Sequence, residues 1–296
     1  MSLIHLKEFE YFEPTTIEEA SKMLENYGDR AQVLAGGIDL VPRMRTGSID
    51  TDFVINIQNI PELTFMSCSE ETGLQFGAMT KLNTLDKSQD LKRVYPIIQK
   101  SINQITSVQS KYMGTAVGNI CLATPASDVA TSLMAQDAEL LIAGVNGRRT
   151  EKIYNFYKDY HKTTLERGEF VIGVNVPKPL ESEGAAFYNR VRTHADIAKI
   201  TVAVVLSLKD NICSEIRIAL GAIAPTVIRA YSAEDLVKGK EITPELIKIV
   251  AEEASRISKP ITDFRSTEEY RVEMARVLVG RGIEKAAGMA RRANND

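Results

Sequence analysis

The 296-residue sequence lacks tryptophan and has only three cysteines and three histidines. Cys68, Cys121 and Cys213 lie far apart and form no CxxC, which disfavours an iron–sulfur cluster or zinc ribbon built from this chain alone. An odd, sparse cysteine count fits a reducing compartment, so a cytoplasmic protein is expected. His5, His161 and His194 are also scattered and no HExxH occurs, so no metal site is expected. No run of 18 apolar residues is present, and the N-terminus carries acids early without an apolar core. Neither a membrane span nor a signal peptide is therefore expected. Charge of one sign is missing too: Lys+Arg 36 against Asp+Glu 39 gives a net charge of -3. That balance argues against nucleic acid or an anionic membrane as the main partner. GxGxxG, GxxxxGK[ST] and GxSxG are absent, which disfavours a Rossmann dinucleotide site, a P-loop and a serine hydrolase.

What is present is an ordinary 44% of hydrophobic residues, enough for a sizeable core. The length predicts two domains or lobes at roughly 100–200 residues each. Up to about residue 165 the pattern is rich in β and α elements. Thr16 with Glu19 predicts a capping box for a helix stopped by Gly28. Strand-like runs follow at 32–35, 52–57, 74–78 and 139–143. A helical pattern covers 90–106, and Thr124 before Pro125 predicts a helix start running to about 136. From about 168 the strand-like runs 170–176, 185–192, 200–208 and 216–223 come without helices between them, which predicts an antiparallel sheet. The tail is helical, with starts predicted at Ser232, at Thr243-Pro244 and at Ser266 with Glu269. Residues 293–296 are expected to fray. The fold class is α+β, with a first region over 1–165 (subdomains about 1–57 and 58–165) and a second over 168–292.

Two stretches are candidates for chemistry. In Val33-Leu34-Ala35-Gly36-Gly37-Ile38-Asp39-Leu40, paired glycines follow a strand. Such a turn is either a tight connection or a place where backbone N–H groups converge on an anion. The stretch 113–128 joins Thr115, Ala116, Val117, Gly118 and Asn119 to a helix start near Asp128. A small-residue loop beside a helix N-terminus suits a pyrophosphate, and Asp128 either accepts from sugar hydroxyls or only complements the helix dipole. In 188–198, Arg190 and Arg192 would share one strand face, facing acids across the sheet, an anionic ligand or a partner. No nucleophile or acid–base pair stands out, so the chemistry of an enzyme built on this chain falls to a bound cofactor.

Taken in order, these stretches resemble the FAD-binding subunit of the molybdenum hydroxylases, the xanthine dehydrogenase family. Ala35-Gly36-Gly37-Ile38-Asp39-Leu40 is similar to the family's AGGTDL, and residues 115–119 to its TxGGN. Residues 123–128 resemble its ASPxxD, and Arg192 with Asp196-Ile197-Ala198 its Arg and DIA. Asp263-Phe264-Arg265 with Tyr270-Arg271 resembles the opening of its C-terminal helix. The resemblance implies a two-lobed FAD-binding region of the vanillyl-alcohol-oxidase type, followed by an antiparallel sheet with a helical bundle. It implies that residues 33–40 wrap the FAD pyrophosphate, with Leu40 near the flavin. Thr115 through Asn119 would meet the phosphate and ribityl region, and Asp128 a hydroxyl. Ile172 and Arg190 would lie along the cofactor, Ile197 by the isoalloxazine, and Asp196 would brace that loop. Molybdopterin and 2Fe-2S clusters are implied on partner subunits, NAD(P) as the electron acceptor, and nicotinate as the specific substrate expectation.

Three departures stand out: Ile38 for Thr, Val117 for the first Gly of GGN, and Leu122 for a polar residue. They leave two competing readings, a stand-alone FAD oxidase or reductase and a non-catalytic scaffold subunit that has lost FAD. Arg271, Arg276, Arg281, Arg291 and Arg292 mark either a partner surface or a solvated helix face.

Overall fold

The structure, a computed structural model, describes residues 6–105, 107–193 and 196–294. His5 and His194, and residues 295–296 of the tail expected to fray, lie outside the described residues. Ala293 ends the last helix, and the Asn294 amide donates to the Leu208 carbonyl (3.0 Å), so the described part of that tail is anchored.

Three sheets build the molecule. The first is parallel, in the order Glu10–Phe12, Phe53–Asn56, Ala31–Leu34. The helix Ile17–Tyr27 crosses over between its edge strands. Thr16 caps it by accepting from the Glu19 N–H (3.1 Å), and Gly28 ends it at φ +55°. The Glu19 carboxylate reaches back to the N–H of Thr15 rather than of Thr16 (2.9 Å), a shifted capping box.

The second sheet is antiparallel, in the order Met66–Ser69, Gly73–Gly77, Phe170–Val176, Glu139–Gly144, Gly147–Lys152. This corrects the expectation that Phe170–Val176 opens the second region: it is the central strand of a first-region sheet. Its sequence FVIGVNV is buried at six of seven positions, so it needs neighbours on both edges and cover on both faces. Gly73–Gly77 and Glu139–Gly144 supply the edges. The helix expected over 90–106 is two helices, Gln89–Val94 and Pro96–Asn103. Pro96, which has no N–H to give, starts the second after a break at Tyr95.

The third sheet is an antiparallel meander, Glu183–Arg190, Ile200–Lys209, Ile212–Gly221 and Ile228–Arg229. Its two faces belong to different cores, because alternate residues point to opposite sides. Ala185, Phe187, Ala203, Val205 and Ala219 join the core of the first region. Ala186, Val202, Val204, Ile218 and Leu220 join a second core under the helices Pro244–Arg256 and Glu268–Ala293. Double coverage explains why Ile200–Lys209 is buried at nine of ten positions. A charge cluster adds a second tie between the regions, with Arg229 bridging Asp137 (3.1 Å) and Glu234 (2.9 Å).

Candidate functional site

The two glycine-bearing stretches meet. The strand Ala31–Leu34 delivers the chain to Gly36 and Gly37, and the helix Leu40–Thr46 follows. Gly37 has φ +72°, a left-handed conformation that favours glycine. A β-carbon on Gly36 would lie 2.3 Å from the Met113 carbonyl oxygen and 2.8 Å from the Gly114 Cα. A β-carbon on Gly114 would in turn lie 2.8 Å from Ile38 Cδ1. Gly36 is thus required by the backbone of the second stretch, a reason the sequence did not contain. Gln58 holds the loop from behind, its amide donating to the Ala35 carbonyl (2.6 Å). The helix Leu40–Thr46 buries none of its residues.

The second stretch is not an open loop. Thr115 caps a six-residue helix, Ala116–Cys121, by accepting from the Gly118 N–H (3.0 Å), and the Asn119 N–H bonds the Thr115 carbonyl (3.1 Å). Val117, the departure that seemed to restrict the backbone, points into the core and is 4% exposed. Ile38 is 38% exposed and lies against Gly114. Leu122 acts through its backbone: its carbonyl accepts from Nδ1 of His161 (2.6 Å).

The next helix starts later than expected. Ser127, not Thr124, caps Asp128–Ala135 by accepting from the Ala130 N–H (3.0 Å). Pro125 is drawn away because its carbonyl accepts from the Ala222 N–H on the third sheet (2.6 Å). The Ser127 hydroxyl also donates to Asn119 Oδ1 (2.5 Å), which couples the two short helices.

Asp128 spans the two regions. Its carboxylate accepts from the Asn189 amide (2.7 Å) and the Thr201 hydroxyl (2.5 Å). Asn189 and Thr201 are register partners on adjacent strands, so both donors aim at one point. Burial pushes the Asp128 carboxyl up to about 6, against the opposing pull of these two hydrogen bonds. Beside it, Asn189 Oδ1 is buried without a hydrogen-bond partner. Sequence reasoning missed Thr201, which sits in an apolar strand and carries no local signal.

Past Asn189 the strand ends at Arg190, so Arg190 and Arg192 do not share a strand face as expected. Arg190 is exposed, and its carbonyl accepts from the Lys199 N–H (2.7 Å). Arg192 pairs with Asp196 (3.2 Å), whose carboxylate also accepts from the Ile197 N–H (2.8 Å). Ile197 is 50% exposed beside them. Arg271 is 4% exposed and holds this segment from below, donating to the carbonyls of Lys199 (2.6 Å) and Ala222 (2.8 Å) and to Asp263 (2.9 Å). It is therefore no part of an arginine-lined partner surface. Ile172 occupies a β-bulge against Glu139–Gly144. It is buried, and its carbonyl accepts from the Ala78 N–H (2.9 Å).

These contacts join the expected residues into one line. It runs from Gly36 through Met113 and the short helix to Asn119, Ser127 and Asp128, then across to Asn189 and on to Ile197. Among the described residues, no group of three or more His, Cys, Asp or Glu side chains is placed to hold a metal ion. No described helix is long and apolar enough to cross a membrane.

Comparison with known proteins agrees with this layout. Residues 7–179 match the FAD binding domain in molybdopterin dehydrogenase, and residues 185–286 the CO dehydrogenase flavoprotein C-terminal domain. The carbon monoxide dehydrogenase medium chain of Hydrogenophaga pseudoflava is 32% identical over 278 residues, 94% of this chain and 96% of that one. The glyceraldehyde dehydrogenase medium chain of Sulfolobus acidocaldarius is 30% identical over 280 residues, 95% of this chain and 99% of that one. A solved structure of the Hydrogenophaga pseudoflava carbon monoxide dehydrogenase, lacking the Mo-pyranopterin moiety, matches with a TM-score of 0.92 at 32% identity. That match covers 96% of this chain and 99% of the other.

Proposed function

The chain belongs to the FAD-binding medium subunits of the molybdenum hydroxylase family, and from that membership we propose how its own residues hold the cofactor. The observation that carries the reading is the contact of Gly36 with Met113 and Gly114, which sets two small-residue segments side by side as one cradle. In this reading residues 33–40 present backbone N–H groups to the diphosphate, with Leu40 near the flavin. Thr115, Ala116, Val117, Gly118 and Asn119 act as a short capped helix at the phosphate and ribityl region. Asp128 accepts from a cofactor hydroxyl. The unpartnered, buried Asn189 Oδ1 beside it supports that role, since such an atom is costly unless a ligand donates to it. Arg190 and Ile197 line the isoalloxazine end, with Asp196 and Arg271 bracing them. Ile172 contributes from the buried bulge beneath.

When bound, FAD supplies the redox chemistry, linking iron–sulfur clusters on a partner subunit to NAD(P)⁺ or another acceptor. The chain's contribution is to bind, orient and shield the cofactor. Medium subunits of this family work beside molybdopterin-binding and iron–sulfur subunits. Nicotinate is proposed as the substrate hydroxylated on a partner subunit, and the cytoplasm as the compartment. Three free cysteines support a reducing location.

The test is a visible spectrum of the purified complex, with the released flavin identified after denaturation. FAD near one per chain, bleached by NADH or NADPH, is the expected result. Reduction by nicotinate tests the substrate separately. Absence of flavin after reconstitution with FAD and the partner subunits overturns the reading.

A further inference from the structure

We propose that Lys81, outside every segment assigned above, is an anion-binding residue of the same site and fastens the diphosphate of FAD. The proposal rests on the FAD reading and adds a residue to it.

Lys81 enters the site through its backbone. It forms an isolated antiparallel bridge with Thr115, and the next N–H, of Leu82, donates to the Gly114 carbonyl (2.9 Å). Its ammonium lies 3.1 Å from the Met113 carbonyl oxygen. This is the same oxygen that leaves no room for a β-carbon on Gly36. The Lys81 charge and the Gly36 backbone therefore flank a single atom, at the junction of the two segments.

The charge is poorly compensated. An ammonium has three donors, and the Met113 carbonyl takes one. Cations nearby are neutralised: Lys111 pairs with Asp86 (2.6 Å), and Arg43 with Asp39 (3.4 Å). Among the described residues no carboxylate pairs with Lys81. The side chain is half-buried, and burial pulls its pKa down, the mark of a cation short of an anion. Lys81 also lines a cavity of about 420 Å³ together with Thr80, Thr84, Gln58, Phe65 and Met79. Gln58 ties that cavity to the glycine loop through its bond to Ala35. A half-buried cation with free donors, beside two backbone segments suited to an anion, matches the chemistry of a diphosphate.

The experiment uses the whole chain in its complex, stripped of flavin and titrated with FAD, ADP and riboflavin. Lys81→Met is expected to weaken FAD and ADP binding about tenfold or more, the scale of a lost charge-assisted hydrogen bond. Riboflavin, which has no phosphate, should bind as in wild type. Lys81→Arg should restore most of the loss, and the salt dependence of FAD binding should be shallower in Lys81→Met. Unchanged FAD and ADP binding in Lys81→Met overturns the proposal. So does an equal loss for all three ligands with a lowered thermal midpoint, because that marks a brace rather than an anion contact. A loss for ADP without a loss for FAD also overturns it, as it marks a separate nucleotide site. A wild-type complex that takes up no FAD fails the functional reading itself, which is a distinct result.

Discussion

Gly36 and Met113 are pressed together so closely that one missing methyl group holds the site open. A β-carbon on Gly36 would stand 2.3 Å from the Met113 carbonyl oxygen, a backbone atom that a side-chain rotation cannot clear. Gly36→Val should therefore push the two segments apart, empty the protein of flavin and cost roughly 2 kcal/mol or more of stability. Gly37→Ala is the control. Its β-carbon would meet only side-chain atoms, at 3.3 and 3.5 Å, so the penalty is the left-handed φ of +72°, about 1 kcal/mol. Flavin absorbance per chain and a urea melt read both variants. Full flavin content in Gly36→Val rejects the cradle.

Val117 departs from the family's glycine, yet the structure gives it work to do. It is 4% exposed inside the helix Ala116–Cys121 and belongs to the first core. Val117→Gly should lose about 1.5–3 kcal/mol of buried apolar surface. It should lose about 1 kcal/mol more through glycine's poor helix propensity. FAD affinity should not improve, because the side chain points away from the cradle. A tighter-binding Val117→Gly would mean that Val117 obstructs the cofactor after all.

Much of the fold was legible because its signals are local. Thr16 and Thr243 cap the helices expected of them, and Pro244 follows Thr243 at the first helical position. The apolar run from 200 became the central strand Ile200–Lys209. The motifs at 33–40 and 115–128 marked the right neighbourhood. What stayed hidden depends on contacts between residues distant in sequence. FVIGVNV reads as a buried strand, but its sheet is chosen by Gly73–Gly77 and Glu139–Gly144, roughly a hundred and thirty residues away. Gly36 reads as permissive, but only the position of Met113 shows what demands it. Thr201 reads as one more β-branched residue until Asn189 and Asp128 come beside it.

Arg271 supplies a third test. Its guanidinium holds two backbone carbonyls, of Lys199 and Ala222, together with Asp263, at the root of the segment that carries Ile197. Arg271→Met keeps much of the apolar stem but leaves those acceptors buried without a donor. The expected cost is about 3 kcal/mol. Arg271→Lys keeps the charge but not the planar fork, so it should recover only part of the loss. Chemical denaturation of the three proteins measures it. A loss below about 0.5 kcal/mol in Arg271→Met, the usual range for a surface site, rejects the bracing role.

Asp128 sets a pH dependence whose sign is opposite to that of an ordinary ion-paired acid. Burial raises its carboxyl to about 6 in the fold, against 3.8 unperturbed. Between those values the folded chain binds more protons than the unfolded one, so folding stability falls as pH rises through that window. The contribution is fully present below about pH 4 and lost above about pH 6, and its ceiling is roughly 3 kcal/mol. Asp128→Asn removes the titration while keeping partners for both neighbours, since an amide accepts from Asn189 and donates to Thr201. In flavin-free protein, the stability of Asp128→Asn relative to wild type should therefore rise from pH 4 to pH 7. Urea melts at several pH values read this difference directly, and other titrating groups cancel because both proteins share them. A difference that stays flat across the window would show the carboxylate to be adequately solvated or paired in the fold. A difference that rises as expected would identify a charge that the empty fold holds at a cost and that the cofactor's hydroxyl donors are placed to relieve.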